Sequence, residues 1–401
     1  MEAEPRGAAV LTAGLHGNIH GLEHIFPVVL PMLMAEFSGS MALFGIVGTA
    51  AYLTMGLGGL PAGWLADRLG SRALLLLGAG ICSAGCFAVA AAPSAGLVAA
   101  ALSLLGVGLG LYHPAGLSLL SRTYVRFHGW SLGIHGMGGA AAIVVAPALF
   151  GGIAAAAGWR TAYVVAGILS LALGLGLLAL PGTKGREAPA SAPAKPSWSG
   201  ILLLLAETAC AGLVYRGVVT FLPMFYSGEV APILPPSLAD LLRRGSGSAA
   251  AAAAVGGALA SITYASAILG QTLGGWAASS KRFPRLLVGI GIVFTLCLAG
   301  MGLASGFPVL GFGILFAAAY FAAQPITNML VARWSKGSAH GMVYGVYFTT
   351  GFGIGALAPA IVAPLASGGP VSTIFLFLAV AGAGSVALRI AIMRRALREG
   401  A

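Results

Sequence analysis

Long apolar segments, separated by short polar ones, run along the whole chain. Because an α-helix rises 1.5 Å per residue, about 20 apolar residues cross the roughly 30 Å hydrocarbon core of a bilayer. The pattern predicts an all-α membrane protein with twelve transmembrane helices. The predicted spans are 8–35, 41–66, 73–92, 95–121, 128–157, 160–181, 198–226, 248–279, 285–304, 307–333, 339–367 and 370–394.

The basic residues lie mostly on one side of this predicted topology. The 401-residue chain is 58% hydrophobic and 8% charged, yet its net charge is +11. If both termini lie in the cytoplasm, all Lys and Arg residues, including Arg389, are cytoplasmic with four exceptions. These exceptions are Arg160, Arg216, Arg243 and Arg244. Because Lys and Arg concentrate in cytoplasmic loops, the charge predicts a multi-pass protein of a bacterial cytoplasmic membrane with cytoplasmic N- and C-termini. It gives no reason to expect nucleic acid as a partner.

Two parts of the chain repeat the same motifs at the same distance. Trp64 recurs as Trp276, and a segment from His128 that ends in Ala-Pro-Ala recurs from His340, each time 212 positions later. Two equivalent six-helix halves are typical of transporters that bind substrate where the repeats meet. A Pro-, Ser- and Ala-rich segment between them predicts a cytoplasmic linker. The predicted domains are a six-helix bundle at 1–181, a linker at 182–197 and a second bundle at 198–401.

The loop after the second predicted span carries the segment GWLADRLGSR. It resembles the signature G-x-L-x-D-R-x-G-x-R of the major facilitator superfamily, with matching residues Gly63, Leu65, Asp67, Arg68, Gly70 and Arg72. The resemblance implies two pseudo-symmetric six-helix bundles and transport by alternating access. Glycine at position 70 permits a tight turn, and the charged residues of such a loop can latch the two halves in one state and release them in another.

Two further segments narrow the resemblance. YHPAG in the fourth span, followed by HGWSLGIHGMGG in the fifth, resembles the fosmidomycin-resistance branch of the superfamily. The fourth span lacks the Arg of proton-coupled drug exporters, and the fifth has APALFGG in place of their GPxxGG. The resemblance favours efflux slightly over import, although the sequence itself does not determine the direction.

Four ionisable residues interrupt the first apolar span: His16, His20, Glu23 and His24. At 100° per residue they project within an arc of about 100° on one helix face. Ionisable groups at membrane depth are costly unless they face protein or water, so this face is expected to line a central cavity. Three roles stay open: hydrogen bonds to neighbouring helices, a proton path through Glu23 and the histidines, and metal ligation by His16, His20 and His24.

The seventh predicted span carries Glu207, Tyr215 and Arg216. Arginine stays charged in proteins, so Arg216 needs an anionic partner, which is Glu23, Glu207 or an acidic group of the substrate. Further polar residues at membrane depth are candidates for the lining of the same site: His113, His135, Gln271, Gln324, Asn328 and Tyr347.

These features predict a secondary active transporter that moves a small organic solute, with an acidic group favoured, by proton coupling. The sequence contains neither G-x-x-x-x-G-K-[ST] nor a nucleophile–base set, so no ATP hydrolysis, no enzyme activity and no cofactor are expected. The proton gradient is the expected driving force, the substrate and the bilayer are the expected partners, and a monomer is expected. The alternatives are a transporter of transition metals or metal chelates and, in a different class, a non-transporting receptor of the same fold.

Overall fold

A computed structural model describes residues 6–123, 128–180, 196–235, 248–335 and 340–399, and this part of the chain is helical without strands. The first half contains α1 Arg6–Glu36, α2 Met41–Leu69, α3 Ser71–Ala91, α4 Ala95–Gly110, α5 Tyr112–Thr123, α6 His128–Ala157 and α7 Trp159–Gly176. The second half contains α8 Trp198–Glu229, α9 Ser248–Ser279, α10 Phe283–Leu303, α11 Phe307–Trp334, α12 His340–Thr349, α13 Ala358–Val362 and α14 Ser372–Arg398. Nearly all of the predicted linker lies outside the described residues, as do Arg243 and Arg244.

The all-α membrane architecture predicted from hydropathy is confirmed. Within the described ranges, eleven helical segments are long and apolar enough to cross a membrane. Helix α1 is not among them although it has 31 residues. Its polar residues lower its hydropathy, but Glu23 and His24 are buried inside the bundle, where they face protein instead of lipid. Hydropathy alone therefore misses the span that carries the buried ionisable residues.

Two predicted spans are broken where the sequence gives a physical reason. The fourth consists of α4 and α5, with Pro114 near the start of α5, where a missing N–H costs no helical bond. The eleventh changes from α12 into a π-helical turn at Thr350–Ile354 before α13 begins. Such turns leave backbone groups irregularly bonded and occur often at functional sites.

The two halves meet closely at the end of the bundle away from the chain termini. The Thr49 hydroxyl accepts a hydrogen bond from the Ala360 N–H at 3.0 Å, and the Ser261 hydroxyl accepts one from the Ala148 N–H at 2.9 Å. Ser261 follows Thr49 by 212 positions, and Ala360 follows Ala148 by the same 212. The internal duplication thus places the same cross-half contact twice, on opposite sides of the pseudo-twofold axis.

Small residues bring the backbones together around these hydrogen bonds. A Cβ atom added to Gly257 of α9 would lie 3.0 Å from the carbonyl carbon of Pro147 in α6, and one added to Gly45 of α2 would lie 2.6 Å from the Ala363 Cβ. No larger side chain fits at either position while the halves stay together. We call this closed end, formed by α2, α6, α9 and α13 with the turn that follows it, the outer gate.

A surface ion pair anchors α1 at the same end. The guanidinium of Arg160, at the start of α7, lies 2.6 Å from a Glu36 carboxylate oxygen, and Trp159 donates to the other oxygen at 2.7 Å. The hydrogen bonds from Arg160, followed by the one from Trp159, hold the pKa of the Glu36 carboxyl below its usual range. Arg160 therefore lies at the end of the bundle opposite the chain termini, where it connects α7 to α1.

Candidate functional site

A cavity of about 370 Å³ lies between the two halves, on the side of the bundle that carries both chain termini. His16 and His20 reach it from the first half of α1, and the exposed Gln324 and Asn328 lie at its mouth near the end of α11. The outer gate closes the opposite side, so the structure is open toward the predicted cytoplasm. The predicted residues that line this cavity are His16, His20, His113, His135, Glu207, Tyr215, Gln271, Gln324, Asn328 and Tyr347.

A cluster of histidines forms the wall contributed by the first half. The rings of His16 and His135 stack with centroids 4.1 Å apart, and His113 meets His16 edge-on at 5.4 Å. Nδ1 of His16 lies 2.9 Å from the His135 carbonyl oxygen, and Nε2 of His16 lies 3.1 Å from Nε2 of His20. The wall is therefore a connected set of imidazoles, in which Nε2 of His16 faces Nε2 of His20.

Behind this wall, the polar groups continue into an ion pair that joins the two halves. Nδ1 of His20 lies 3.5 Å from Oε1 of Glu23, and Oε2 of Glu23 accepts a hydrogen bond from Arg216 at 2.9 Å. The Glu23 and Arg216 side chains are each 1% exposed. Of the partners predicted for Arg216, the structure selects Glu23 of α1, although 193 positions separate the two residues.

Aromatic rings separate the ion pair from the cavity. The Arg216 guanidinium lies 4.3 Å from the ring centroid of Tyr52, 5.4 Å from that of Phe352 and 5.5 Å from that of Tyr215. Phe352 and Tyr215 line the cavity, whereas Arg216 and Glu23 do not. Cation–π contacts of this kind stabilise a desolvated guanidinium. A solute in this open state therefore meets the rings before it can reach the charges.

His24 is a predicted site residue that the structure places apart from the histidine wall. It is buried, its ring lies 5.2 Å from that of Tyr264, and Nε2 has no hydrogen-bond partner among the described residues. It does not line the cavity. The arc of about 100° predicted for α1 therefore divides, with His16 and His20 on the cavity side and His24 against α9.

A second buried ion pair lies inside the second half and was missed by the sequence analysis. Arg389 donates to Glu207 at 2.8 Å, as does the hydroxyl of Ser385, and Arg389 also lies 4.9 Å from the Phe294 ring centroid. Arg389 is 1% exposed and reaches the cavity lining. The assignment of Arg389 to the cytoplasmic charges was therefore wrong, because a buried carboxylate on α8 neutralises it within the membrane. Glu207 was the feature of the sequence that could have indicated this pair, because a carboxylate within the membrane requires a cation at the same depth.

The wall from the second half is aromatic. Tyr215 stacks on Tyr320 at 5.4 Å and meets Phe321 edge-on at 6.1 Å, and Phe352 stacks against His113 of the other half at 6.3 Å. Tyr320, Phe321 and Phe352 were not among the predicted site residues, since an aromatic residue in an apolar span carries no sign that it faces a cavity. The site is thus lined by imidazoles on one side and by phenyl and phenol rings on the other.

The same histidines define which residues could hold a metal ion. Nitrogen atoms of His16, His20 and His113 all lie within 4.8 Å of one another. The metal-binding alternative named His24, but the structure places His113 of α5 in that position. The Nδ1 atoms of His16 and His20 face a carbonyl and a carboxylate, which is how second-shell groups orient metal-binding histidines.

The loop motif between α2 and α3 has the geometry of a tight connection. Gly70 has φ +83°, a conformation that glycine adopts without strain. Arg72 donates to the carbonyl oxygens of Leu180 and Leu178, at 2.7 Å each, so it holds the end of the first half. Arg68 lies 4.1 Å over the Trp64 ring. The Asp67 side chain lies outside what the structure describes, so the predicted latch between the halves stays a prediction.

Two duplicated helical halves, a cavity between them that is closed at one end, and a buried ion pair across their interface are the architecture of an alternating-access transporter. The sequence profile of the Major Facilitator Superfamily matches residues 19–231, which is more than half of the chain. The chain therefore belongs to this family, and the resemblance noted in its loop motif is confirmed.

Comparison with known proteins agrees with this assignment. An uncharacterised MFS-type transporter of Mycobacterium tuberculosis is 30% identical over 162 residues, which are 39% of this chain and only 28% of that protein. Among solved structures, the fold is similar to a bacterial homologue of the human lysosomal transporter Spinster, in an inward-facing and occupied conformation, with a TM-score of 0.75, 17% identity and 98% of each chain covered. It is also similar to the peptide transporter POT in complex with alafosfalin, with a TM-score of 0.74, 14% identity and coverage of 98% of this chain and 95% of that one. At these identities the structural likeness shows the fold alone.

Proposed function

We propose that this protein is a proton-coupled secondary transporter of a small organic acid. Protons reach the Glu23–Arg216 ion pair, which joins the two halves, through the histidine wall. The observation that carries the proposal is the continuous chain His16–His20–Glu23–Arg216. It begins at the cavity lining and ends on the opposite half, with atom separations of 3.1, 3.5 and 2.9 Å. A change of charge in the first half is thereby connected directly to a contact that holds both halves together.

The donor and acceptor roles along this series of residues leave a place for one added proton at its centre. The His135 carbonyl only accepts, so Nδ1 of a neutral His16 carries hydrogen and its Nε2 accepts from Nε2 of His20. A neutral His20 would then present a bare Nδ1 to Oε1 of Glu23. Neither of these two atoms has a hydrogen-bond partner among the described residues, so a proton added between them would join the two side chains. We infer that this proton is the coupling proton.

The same arrangement supplies a mechanism. When Glu23 takes the proton, its attraction to Arg216 weakens, and the guanidinium becomes available to an anionic group. Phe352, which separates Arg216 from the cavity, lies on the irregular π-helical turn, so its displacement breaks few regular helical bonds. Exchange of Glu23 for a substrate anion on Arg216 then links substrate binding, proton uptake by Glu23 and the separation of the halves.

The cavity walls suggest the substrate class. A volume of about 370 Å³ suits a small molecule, and the aromatic wall of Tyr215, Tyr320 and Phe352 suits a planar apolar group. The imidazole wall supplies hydrogen bonds on the other side. We therefore propose a small aromatic or otherwise planar organic acid. A bacterial inner membrane with cytoplasmic termini and a monomeric state belong to the same proposal. The proposed direction is efflux from the cytoplasm, in which the anion and the proton leave together down the gradient of the acid.

Proton coupling is tested in vesicles that contain the purified protein and a trapped pH-sensitive dye. After subtraction of the passive leak of these weak acids in protein-free vesicles, benzoate and hydroxybenzoates are expected to move protons in the wild type, whereas acetate, which has no ring, is expected to move few. Glu23→Gln keeps the size and hydrogen-bonding capacity of the side chain but cannot take the proton, so we expect at least a tenfold loss of proton movement at equal protein content.

The matched control is Glu36→Gln, the same substitution in an exposed ion pair outside the cavity, which should retain wild-type flux. Proton movement that persists in Glu23→Gln at the wild-type rate would contradict the proposal that Glu23 carries the coupling proton. Ligand binding without any flux in the wild type would establish the receptor alternative instead.

A transition metal or its chelate is the second candidate cargo, favoured by the clustering of His16, His20 and His113 within 4.8 Å. His113→Ala should weaken binding of Co²⁺ at least tenfold, measured by its visible absorption in the purified protein. His24→Ala removes an imidazole outside the cluster and should leave Co²⁺ affinity unchanged. Equal affinity in both variants and the wild type would exclude metal as cargo at this site.

A further inference from the structure

A second cavity lies on the outer surface of the bundle, away from the transport pathway. It has a volume of about 450 Å³ and lies between α8 and α14, at the end of the bundle that carries the C-terminus. Leu203, Ala387, Ile390 and Ala391 form its apolar part, and Arg394, Arg395, Arg398 and Glu399 form its charged part. We call it the basic groove.

Along one face of α14, the apolar residues of the basic groove come first and its charged residues follow toward the end of the helix. Ala387, Ala391, Arg394 and Arg398 project within an arc of about 60° at 100° per residue. The two alanines leave a depression beside Leu203 of α8, and the two arginines follow it toward the helix end. The groove therefore offers an apolar channel about two turns long that leads to a pair of guanidinium groups.

The groove carries an excess of positive charge that the described residues do not neutralise. The Glu399 carboxylate is already occupied, because Oε1 lies 3.0 Å from Arg395 and Oε2 accepts from the Trp334 indole at 2.8 Å. Arg394 and Arg398 are exposed, and the structure gives neither of them an acidic partner within the described ranges. Three arginines against one engaged carboxylate leave two unpaired positive charges.

The position of the groove matches the boundary between hydrocarbon and headgroups. Helix α14 has 27 residues and is roughly 40 Å long, about 10 Å more than the hydrocarbon core of a bilayer. Its last turns therefore extend to the headgroup level. Leu202, beside the apolar part, is 62% exposed, as expected for a side chain that faces lipid.

We propose that the basic groove binds an anionic glycerophospholipid, with the phosphate on Arg394 and Arg398 and an acyl chain along Leu203, Ala387 and Ala391. Guanidinium groups bind phosphate oxygens through paired charge-assisted hydrogen bonds. A zwitterionic lipid is disfavoured, since Glu399, the one carboxylate among the described residues that line the groove, is already engaged and cannot receive an ammonium group. Basic pockets between transmembrane helices are suited to acidic headgroups on this side of a membrane. The site is independent of the proposed transport mechanism.

The lipid site is tested with the full-length protein in detergent, by native mass spectrometry with added dioleoyl phosphatidylglycerol, dioleoyl phosphatidylcholine or inorganic phosphate. The double variant Arg394→Gln/Arg398→Gln should bind phosphatidylglycerol roughly 20-fold more weakly than the wild type. Its weak binding of phosphatidylcholine should not change. Arg282→Gln/Arg285→Gln removes the same charge from exposed arginines at the start of α10 and should change the phosphatidylglycerol affinity by less than about twofold.

A third variant, Ala391→Trp, distinguishes a lipid from free phosphate. It fills the apolar part of the groove but keeps all its arginines, so it should weaken phosphatidylglycerol binding and leave phosphate binding unchanged. Inorganic phosphate that binds the wild type as tightly as phosphatidylglycerol would overturn the lipid assignment. An equal loss of phosphatidylglycerol affinity in the Arg282→Gln/Arg285→Gln control would show that binding depends on general surface charge. That result would also overturn the lipid assignment.

Discussion

Replacing Arg216 by methionine is expected to destabilise the protein by about 3–5 kcal/mol at pH 8 and to abolish transport. The substitution removes the charge that compensates Glu23, whose side chain is 1% exposed and cannot be screened by water. The loss should appear as a lower melting temperature of the purified protein in detergent.

The size of this loss should depend on pH and on Glu23. At pH 5.5 protonation of the orphaned Glu23 removes its charge, so the melting temperature of Arg216→Met should approach that of the wild type. The double variant Glu23→Gln/Arg216→Met carries no buried charge at this position and should recover most of the lost stability at pH 8, but no coupled transport.

Arg160→Met provides the comparison for this experiment, because it breaks an exposed ion pair and should cost about 1 kcal/mol or less. A melting temperature of Arg216→Met that equals the wild-type value at pH 8 would contradict a buried ion pair between the halves. Equal losses in the single and double variants would show that the arginine acts through packing alone.

Replacing Gly257 by leucine is expected to hold the outer gate open. The first added carbon would lie 3.0 Å from the Pro147 carbonyl carbon and 3.3 Å from Val28 Cγ1, and the backbone of α6 cannot yield. Overpacking of this kind costs about 1–3 kcal/mol, and here it acts only on the closed state. The population should therefore shift toward the outward-open state by roughly 5- to 150-fold, with a matching loss of transport.

The shift can be measured by labelling a cysteine in the cavity. Ala140 lines the cavity, so Ala140→Cys in a background without the four native cysteines gives a single reporter. A membrane-impermeant maleimide added from the outer face should label it faster when Gly257→Leu is present. Gly289→Leu is the matched control, since an added Cβ there meets nothing within 4 Å. Equal labelling rates in the two variants would show that this contact does not close the gate.

Most of the fold follows from features that are local in the sequence. Apolar length alone places the helices, and α1 is the exception because its own polar residues mask it. The repeat at 212 positions predicts two equivalent halves, and it also accounts for the paired hydrogen bonds of Thr49 and Ser261 at the outer gate. Most polar residues at membrane depth could be identified as cavity lining, because a bilayer interior tolerates them only where they face protein or water.

The sequence did not determine which of the buried polar residues contact one another. Arg216 had two candidate carboxylates, and Glu207 lies only nine positions away on the same helix, yet α14 brings Arg389 to Glu207 and leaves Glu23 for Arg216. His113, predicted for the cavity lining, replaces His24 in the histidine cluster because the packing of α5 brings its ring beside those of His16 and His20. Such outcomes depend on distances between helices, which no local pattern encodes.

The sequence by itself thus determined the membrane class, the spans, the duplication and the family of this protein, since each depends on the hydrophobicity or the identity of residues along the chain. Only the tertiary structure decided that the cavity is open on one side, that Phe352 and Tyr215 cover the ion pair, and that His16 and His20 connect the cavity to it. These features depend on how α1, α6, α8 and α12 cross. A crossing is decided by close packing at residues far apart in sequence.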